Sequence, residues 1–183
     1  DGDIVIMNSN EHPRLENTVK LEMVTIVYIE EGMMQADLNG KTVKAGKDDL
    51  VVCPPNTFVN RSLTSADFSS KVIGLSYKAM QRSLLMSKDI WGIMAFVSRN
   101  PVIHLEKRTS KMFDKYYSLL SYKIENPHGF YHKEIMQSLF HCIFYELSAI
   151  IAPKLGNMQE KTQFSQGEIL FKKFIELLTT YES

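Results

Sequence analysis

Along the first 75 residues, short apolar runs with two-residue alternation are broken by turn residues; beyond residue 76 the apolar positions recur at helical spacing. Leu21 to Ile29 (LEMVTIVYI) is a near-continuous run rich in β-branched and aromatic residues, as expected of a strand covered on both faces. Glu30-Glu31-Gly32 turns the chain. Met34, Ala36 and Leu38 alternate with Gln35 and Asp37, and Asn39-Gly40 follows, a pair that tolerates positive φ and predicts a two-residue type I′ hairpin returning through Lys41 to Ala45. Leu50 to Cys53 is a short buried strand stopped by Pro54-Pro55, because proline has no N–H to give to a ladder. Phe58 to Leu63 and Phe68 to Leu75 supply two more. Strands in series with no helical pattern between them predict a barrel or sandwich and not βαβ units.

Past the period change, Met80, Leu84 and Leu85 predict a short helix, residues 89–98 read as helical or irregular, and Pro101 to Leu105 as one last strand. Three longer amphipathic helices follow. The first carries Phe113, Tyr116, Tyr117, Leu120 and Ile124; the second runs from Ile135 to Ile151; the third holds Phe171, Phe174, Ile175 and Leu178. The second is apolar over more than the ~100° stripe that one packing surface needs, so it touches neighbours on two sides. Those neighbours are either all in its own bundle or include a second subunit. Lys154 to Gln166 is polar and reads as a connecting loop.

Composition narrows the function classes. The 183 residues, 44% hydrophobic and 23% charged, are those of a folded globular chain. Lysine plus arginine balance aspartate plus glutamate at 21 each, without the basic excess a phosphate-gripping surface needs, so this segment alone is expected to bind DNA poorly. Two cysteines, Cys53 and Cys142, form no CxxC pair and fit a reducing cytoplasm. No uninterrupted apolar run reaches the roughly 18 to 20 residues of a membrane span, and residues 1–18 lack the pattern of a signal peptide. The chain opens without methionine and stops after an apolar helical pattern, as a piece of something longer would.

Signals for chemistry are sparse. His128 and His132 stand four apart, the spacing of two ligands on one helix face, but the glutamate of an HExxH motif is missing, a third ligand cannot be nominated, and surface histidines are the plainer reading. There is no GxSxG elbow and no GxGxxG or GxxxxGK[ST] loop. Cys53, between a strand and two prolines, reads as a packed thiol. The chain is read as a non-enzyme with no metal and no cofactor.

Within residues 20–76, EEGMMQADLNGKTVKAGKDDLVVCPPNTF resembles the centre of a cupin barrel, in which a glycine-ended strand, a hairpin, a Gly/Asp turn and a proline-stopped strand follow in order. The second half of the metal-binding cupin signature (Gly, five residues, Pro-x-Gly, two residues, His) falls on Asp48, Pro54, Asn56 and Val59. Valine thus stands at the ligand histidine. The place of the ligand glutamate, seven residues before Gly32, is Thr25, and no His-x-His precedes it. On this resemblance the metal site is lost, since valine has no lone pair and threonine is a poor ligand.

The continuation SLTSADFSSKVIGLSYKAMQRSL, with a helical segment ending FKKFIELLTTYES, resembles the effector-binding half of AraC-type transcription regulators, especially those of Bacteroides-like bacteria. The resemblance implies an α+β fold: a cupin-like antiparallel β-barrel (double-stranded β-helix) over residues 1–105, with an N-terminal arm, followed by an α-helical segment over 106–183. It also implies a small-molecule effector in the barrel, a homodimer through the C-terminal helices, and DNA contact only through a C-terminal helix-turn-helix domain absent here. The arm, residues 1–18 with His12 and Arg14, would close over the effector. If the signature alignment holds, Thr25 and Val59 point inward, and Met23, Val27 and Arg61 follow by two-residue parity. An inward Arg61 guanidinium would grip a ligand carboxylate or phosphate, while an exposed arginine near the barrel mouth is the plainer reading. Two rivals stand beside this: a stand-alone metal-free cupin enzyme or carbohydrate-binding protein, and a purely structural dimerisation module with a filled barrel.

Overall fold

Hydrogen-bond pairing sorts the strands into two antiparallel sheets in the computed structural model, which describes residues 4–9, 17–76, 78–79 and 90–159. The strands are β1 (Ile4–Ser9), β2 (Val19–Leu21), β3 (Val24–Glu31), β4 (Met33–Leu38), β5 (Lys41–Gly46), β6 (Asp49–Cys53), β7 (Thr57–Thr64), β8 (Ser69–Leu75) and β9 (Val102–His104). A five-stranded sheet has the order β1-β8-β3-β6-β9, and a four-stranded sheet the order β2-β7-β4-β5. Three described helices follow the eighth strand: α1 (Ile90–Arg99), α2 (Lys107–Glu125) and α3 (His132–Gln159). The fold is α+β, as the sequence implies. His12, Arg14, Met80, Leu84, Leu85 and the third long helix lie outside the described residues.

Turn chemistry sets the register. Leu38 pairs with Lys41 across Asn39 (φ 50°) and Gly40 (φ 80°), a two-residue loop with both φ values positive, as the Asn-Gly signal predicts. Asp48 and Asn56, where the cupin signature has glycine, also take positive φ, 65° and 67°. Aspartate and asparagine are the side-chain-bearing residues that best tolerate that conformation, so the turns survive without glycine. Gly32 (φ 75°) has no substitute: a Cβ there would lie 2.7 Å from the Phe68 Cα and 2.4 Å from the Ser65 Oγ.

Three elements depart from the sequence reading. The run Leu21 to Ile29 is two strands, because the chain passes from the four-stranded sheet to the five-stranded one at Glu22-Met23. Residues 4–9 of the expected arm are an edge strand paired with β8 from Ile4↔Leu75 to Ser9↔Ser70. Helix α3 runs on through Pro153 to Gln159, where a loop from Lys154 was expected. Lys154, Leu155, Met158 and Gln159 are good helix formers; Gly156 and Asn157 are not, yet the helix continues through them and through the proline, which removes one N–H from an already propagated helix.

The five-stranded sheet buries both faces. Val24, Ile26 and Tyr28 of β3, Leu50 and Val52 of β6, and Ile73 and Leu75 of β8 pack under the helices. Ile29, Val51 and Cys53 face the other sheet with Ala36, Leu38, Val43, Ala45 and Val59. Helix α3 from His132 to Lys154 is long and apolar enough to cross a membrane, though Lys133, Glu134 and Glu146 interrupt its runs. It presses Met136, Phe140, Ile143, Leu147 and Ile151 into the helix-side core.

A polar strut ties β8 to α2 through that core. The Lys71 ammonium is 2.7 Å from the Glu30 carboxylate, pairs with Asp114 of α2, and lies 5.5 Å from the centre of the Tyr117 ring. Beside it the Tyr28 hydroxyl donates to Asp48 at 3.0 Å, and the Tyr28 ring sits 5.3 Å from Phe113. Burial, with the Asp48 carboxylate adding to it and the Ser110 hydrogen bond opposing, pushes the Tyr28 phenol up to about 12. For Lys71 burial lowers the pKa, but Asp114 and Glu30 outweigh it and hold the ammonium above its ordinary 10.5.

Two outcomes are expected. Gly32→Ala strains a positive φ and drives Cβ into backbone, so the urea midpoint falls by an amount equivalent to about 2–3 kcal/mol. Lys71→Met removes the shared cation from two carboxylates and costs about 1–3 kcal/mol near neutral pH. Because the folded pKa is raised, Lys71 stabilises fully below the free value of 10.5, and the gap between wild type and variant narrows as pH climbs through the raised value. Urea melts from pH 7 to pH 11 check this; a gap that widens with pH would contradict it.

Candidate ligand cleft between the sheets

Directly paired residues in an antiparallel ladder share a face, so the register maps the inner wall. Thr25 pairs with Cys53 and Gly74, and Gly74 with Val5; Val27 pairs with Val51 and Val72, and Val72 with Met7. Across the space, Val19 and Leu38 both pair with Val59, and Leu21 with Thr57. Val51, Cys53, Val59 and Leu38 belong to the buried inter-sheet cluster, with Val27 and Leu21 packed against it. Where β5 comes against β6 and β9 this cluster is closed. Towards β1 and β2 it opens: Val5 and Met7 are 39% and 56% exposed, and Val19 37%. The inner faces of the two sheets thus enclose an apolar cluster whose flanks on the β1 and β2 edges are exposed.

Four of the five residues predicted for the site line this space. Thr25 and Val27 are half-buried on β3, and Val59 is buried opposite, where the metal-binding signature has histidine. Met23 is half-buried, its Sδ 3.5 Å from where a Gly74 Cβ would stand. A Cβ at Gly74 would rest in ordinary contact with Met23, and only a larger side chain would displace it. Arg61 is the exception: it is exposed, and the expectation that it points inward is corrected. The β4–β7 ladder passes from Leu38↔Val59 to Ala36↔Ser62, so β7 holds one residue more than β4 between those pairs. This bulge inverts the parity, turning Ser62 inward and Arg61 out.

The polar groups of the wall are few. The Thr25 hydroxyl donates to the Met23 carbonyl at 3.3 Å, and Thr57 to the Pro54 carbonyl at 2.7 Å. Ser70, on the inner side of β8 two residues before Val72, is 1% exposed, and its hydroxyl has no hydrogen-bond partner among the described residues. A buried unpaired hydroxyl costs about 1–3 kcal/mol, a cost that an ordered water or a bound group would relieve. Sequence pattern passes over Ser70 because a serine in a strand carries no signal; Gly74 is the readable one, since glycine inside a strand marks close approach. Burial pushes the Cys53 thiol up to about 11, keeping it protonated and unreactive.

Among the described residues no three His, Cys, Asp or Glu side chains converge as a metal site. His128 precedes α3, which begins at His132, so the two histidines do not share a helix face. Two small cavities lie on the helix side of the five-stranded sheet: one of about 10 Å³ near Leu50 and Phe113, the other of about 40 Å³ lined by Ile26, Val97, Phe140 and Leu147 among others. Both fall far short of the several hundred Å³ that encloses a metabolite.

No family model and no curated protein matches the chain. Among solved structures, the apo form of a single-residue variant of ToxT from Vibrio cholerae aligns at 10% identity with a TM-score of 0.53, over 81% of this chain and 57% of that one. Wild-type ToxT from Vibrio cholerae with a bound unsaturated fatty acid aligns at 12% identity with a TM-score of 0.53, over 85% and 56%. Oxalate decarboxylase of Bacillus subtilis matches over 40% of this chain and 21% of that chain, at a TM-score of 0.34 that carries no argument. The chain spans little more than half the length of ToxT, and at 10–12% identity what it shares with that protein is its fold.

Proposed function

We propose that this chain is the ligand-sensing and dimerising domain of an AraC-type transcription regulator, acting in the cytoplasm without a catalytic step. The observation that carries this reading is the arrangement of two facing sheets with helices packed on one of them, and an apolar space between the sheets that is flanked by the exposed β1 and β2 edges and holds the buried Ser70 hydroxyl. Fold likeness to ToxT, an AraC-family regulator, supports it, and the fatty acid in one ToxT structure indicates the class of molecule such a fold accepts. The wall chemistry here agrees with that class. Met23, Val27, Val59 and Val72 offer dispersion contacts to an acyl or similarly apolar body, while Thr25 and Ser70 offer hydroxyls to a polar head. A carbohydrate ligand fits less well, because this wall offers a sugar's many hydroxyls few partners.

Signalling follows from β3 having two buried faces. Thr25 and Val27 meet the effector; Val24, Ile26 and Tyr28 meet the helices. A ligand that spreads the sheets shifts β3 and β8, and the Lys71–Asp114 pair carries that shift to α2. The response requires an effector that binds one helix arrangement more tightly than the other. Promoter reading belongs to the part of such regulators without a counterpart in this chain, in keeping with a formal net charge of zero.

Titration calorimetry with a panel of unsaturated fatty acids and a panel of sugars separates the readings. The fatty acid panel is expected to bind and the sugars not. Ser70→Ala, which removes an unsatisfied hydroxyl, keeps or raises the melting temperature yet weakens the binding about tenfold. Binding of sugars alone, or undiminished fatty acid binding by Ser70→Ala together with Gly74→Leu, would refute the assigned site.

A further inference from the structure

Helix α2 turns a row of cations to solvent. Lys107, Arg108, Lys111 and Lys115 are all exposed and fall within one arc of about 100°, opposite the buried Phe113, Tyr117 and Leu120. Lys154 of α3 joins them. Thr109 and Met112 line one small cavity with Ile150, and the exposed Lys154 stands one turn beyond Ile150, at the same end of the helix pair. None of the ion pairs among the described residues involves any of these side chains. The neighbouring carboxylates are engaged elsewhere: Asp114 with Lys71, Asp49 with His104, and Glu146 with the Tyr116 hydroxyl. Glu106 precedes the helix, and its side chain makes no hydrogen bond to the helix end.

Left to itself, this arrangement works against the helix. Lys107 and Lys111, Arg108 and Lys111, and Lys111 and Lys115 are like charges one turn apart, and cations near a helix N-terminus oppose its dipole. The first turn holds no acidic residue to offset them. Over the whole chain the formal net charge is zero, so positive charge is gathered on this face and balanced elsewhere.

We propose that the row is a sequence-independent contact for the phosphate backbone of double-stranded DNA. The choice of DNA as the polyanion rests on the regulator reading above and goes beyond it, since there only the missing helix-turn-helix part touches the promoter. The make-up of the row carries the rest. From Lys107 to Lys115 it spans about 12 Å, over which a duplex presents about seven phosphate charges. The exposed apolar residues of α2, Leu119 and Tyr122, come after Lys115, and none is interleaved among the cations. Stacking on bases needs aromatic faces beside the charges, and a lipid surface takes apolar side chains among them. Point charges along a straight helix suit phosphates, which position a protein on a duplex without reading it. So few cations make a weak, salt-sensitive site, in keeping with a neutral chain. Tethered to a promoter by another domain, such a site works at high local concentration.

Fluorescence anisotropy of the chain with two labelled duplexes of unrelated sequence, each about 20 base pairs long, tests the proposal. Both duplexes are expected to bind alike, with dissociation constants of about 10–100 µM at about 50 mM KCl and a slope of about −3 to −4 in log K against log salt. Lys111→Ala with Lys115→Ala flattens that slope by about two, and Lys111→Glu with Lys115→Glu weakens binding at least about tenfold, both at an unchanged melting temperature. Lys20→Glu with Lys44→Glu makes the same change of charge at exposed positions on the four-stranded sheet and leaves binding within about twofold. Equal weakening by the two reversals overturns the row, because net charge alone would then account for binding. Binding to phosphatidylserine vesicles but to neither duplex overturns it as well, as does the lack of any DNA binding at about 300 µM chain and about 25 mM KCl. Fatty acid titration of the same variants keeps the two readings apart: a chain that takes fatty acid but no DNA loses the row and retains the effector site.

Discussion

The five-stranded sheet has to be covered on both sides. Its strands place apolar residues at even and odd positions alike, with Ile26 and Tyr28 turned to the helices and Val27 and Ile29 to the opposite sheet. Exposing either face to water would forfeit about 25 cal/mol for each Å² of apolar surface. The helical layer is therefore not an appendage to a finished β domain but one of the two lids the sheet requires. This is also what puts the space between the sheets and the helices on opposite sides of one strand, a single backbone apart.

Much of this was legible in the residues. The unbroken hydrophobic run around Val24 to Ile29 marked the doubly covered strand, Asn39-Gly40 fixed a hairpin register, and the prolines at 54 and 55 ended β6. Helix α3 betrayed itself by being apolar on more than one side. What escaped were local irregularities that no period can encode. A one-residue bulge in β7 turns Arg61 outward, and the change of sheet at Glu22-Met23 splits what reads as one strand. The run Ile4 to Met7 is apolar throughout and was passed over, since six residues near a chain end carry little weight until their ladder partner on β8 is known.

Site and strut complement each other energetically. The inner face of β8 carries a serine hydroxyl without a partner among the described residues, while two carboxylates satisfy the half-buried Lys71 ammonium and hold α2 to the sheet. Both features lie on β8, so one strand joins the inner wall to the tied helix.

Asp48 and Asn56 carry a wider consequence. In the metal-binding signature these two corners are glycines, and here residues with side chains hold the same left-handed backbone. Aspartate and asparagine thus keep a turn geometry that glycine is usually called on to supply. Substitution of this kind leaves a corner in place while removing the letter by which a motif is matched, so a resemblance of this sort shows in dihedral angles before it shows in characters.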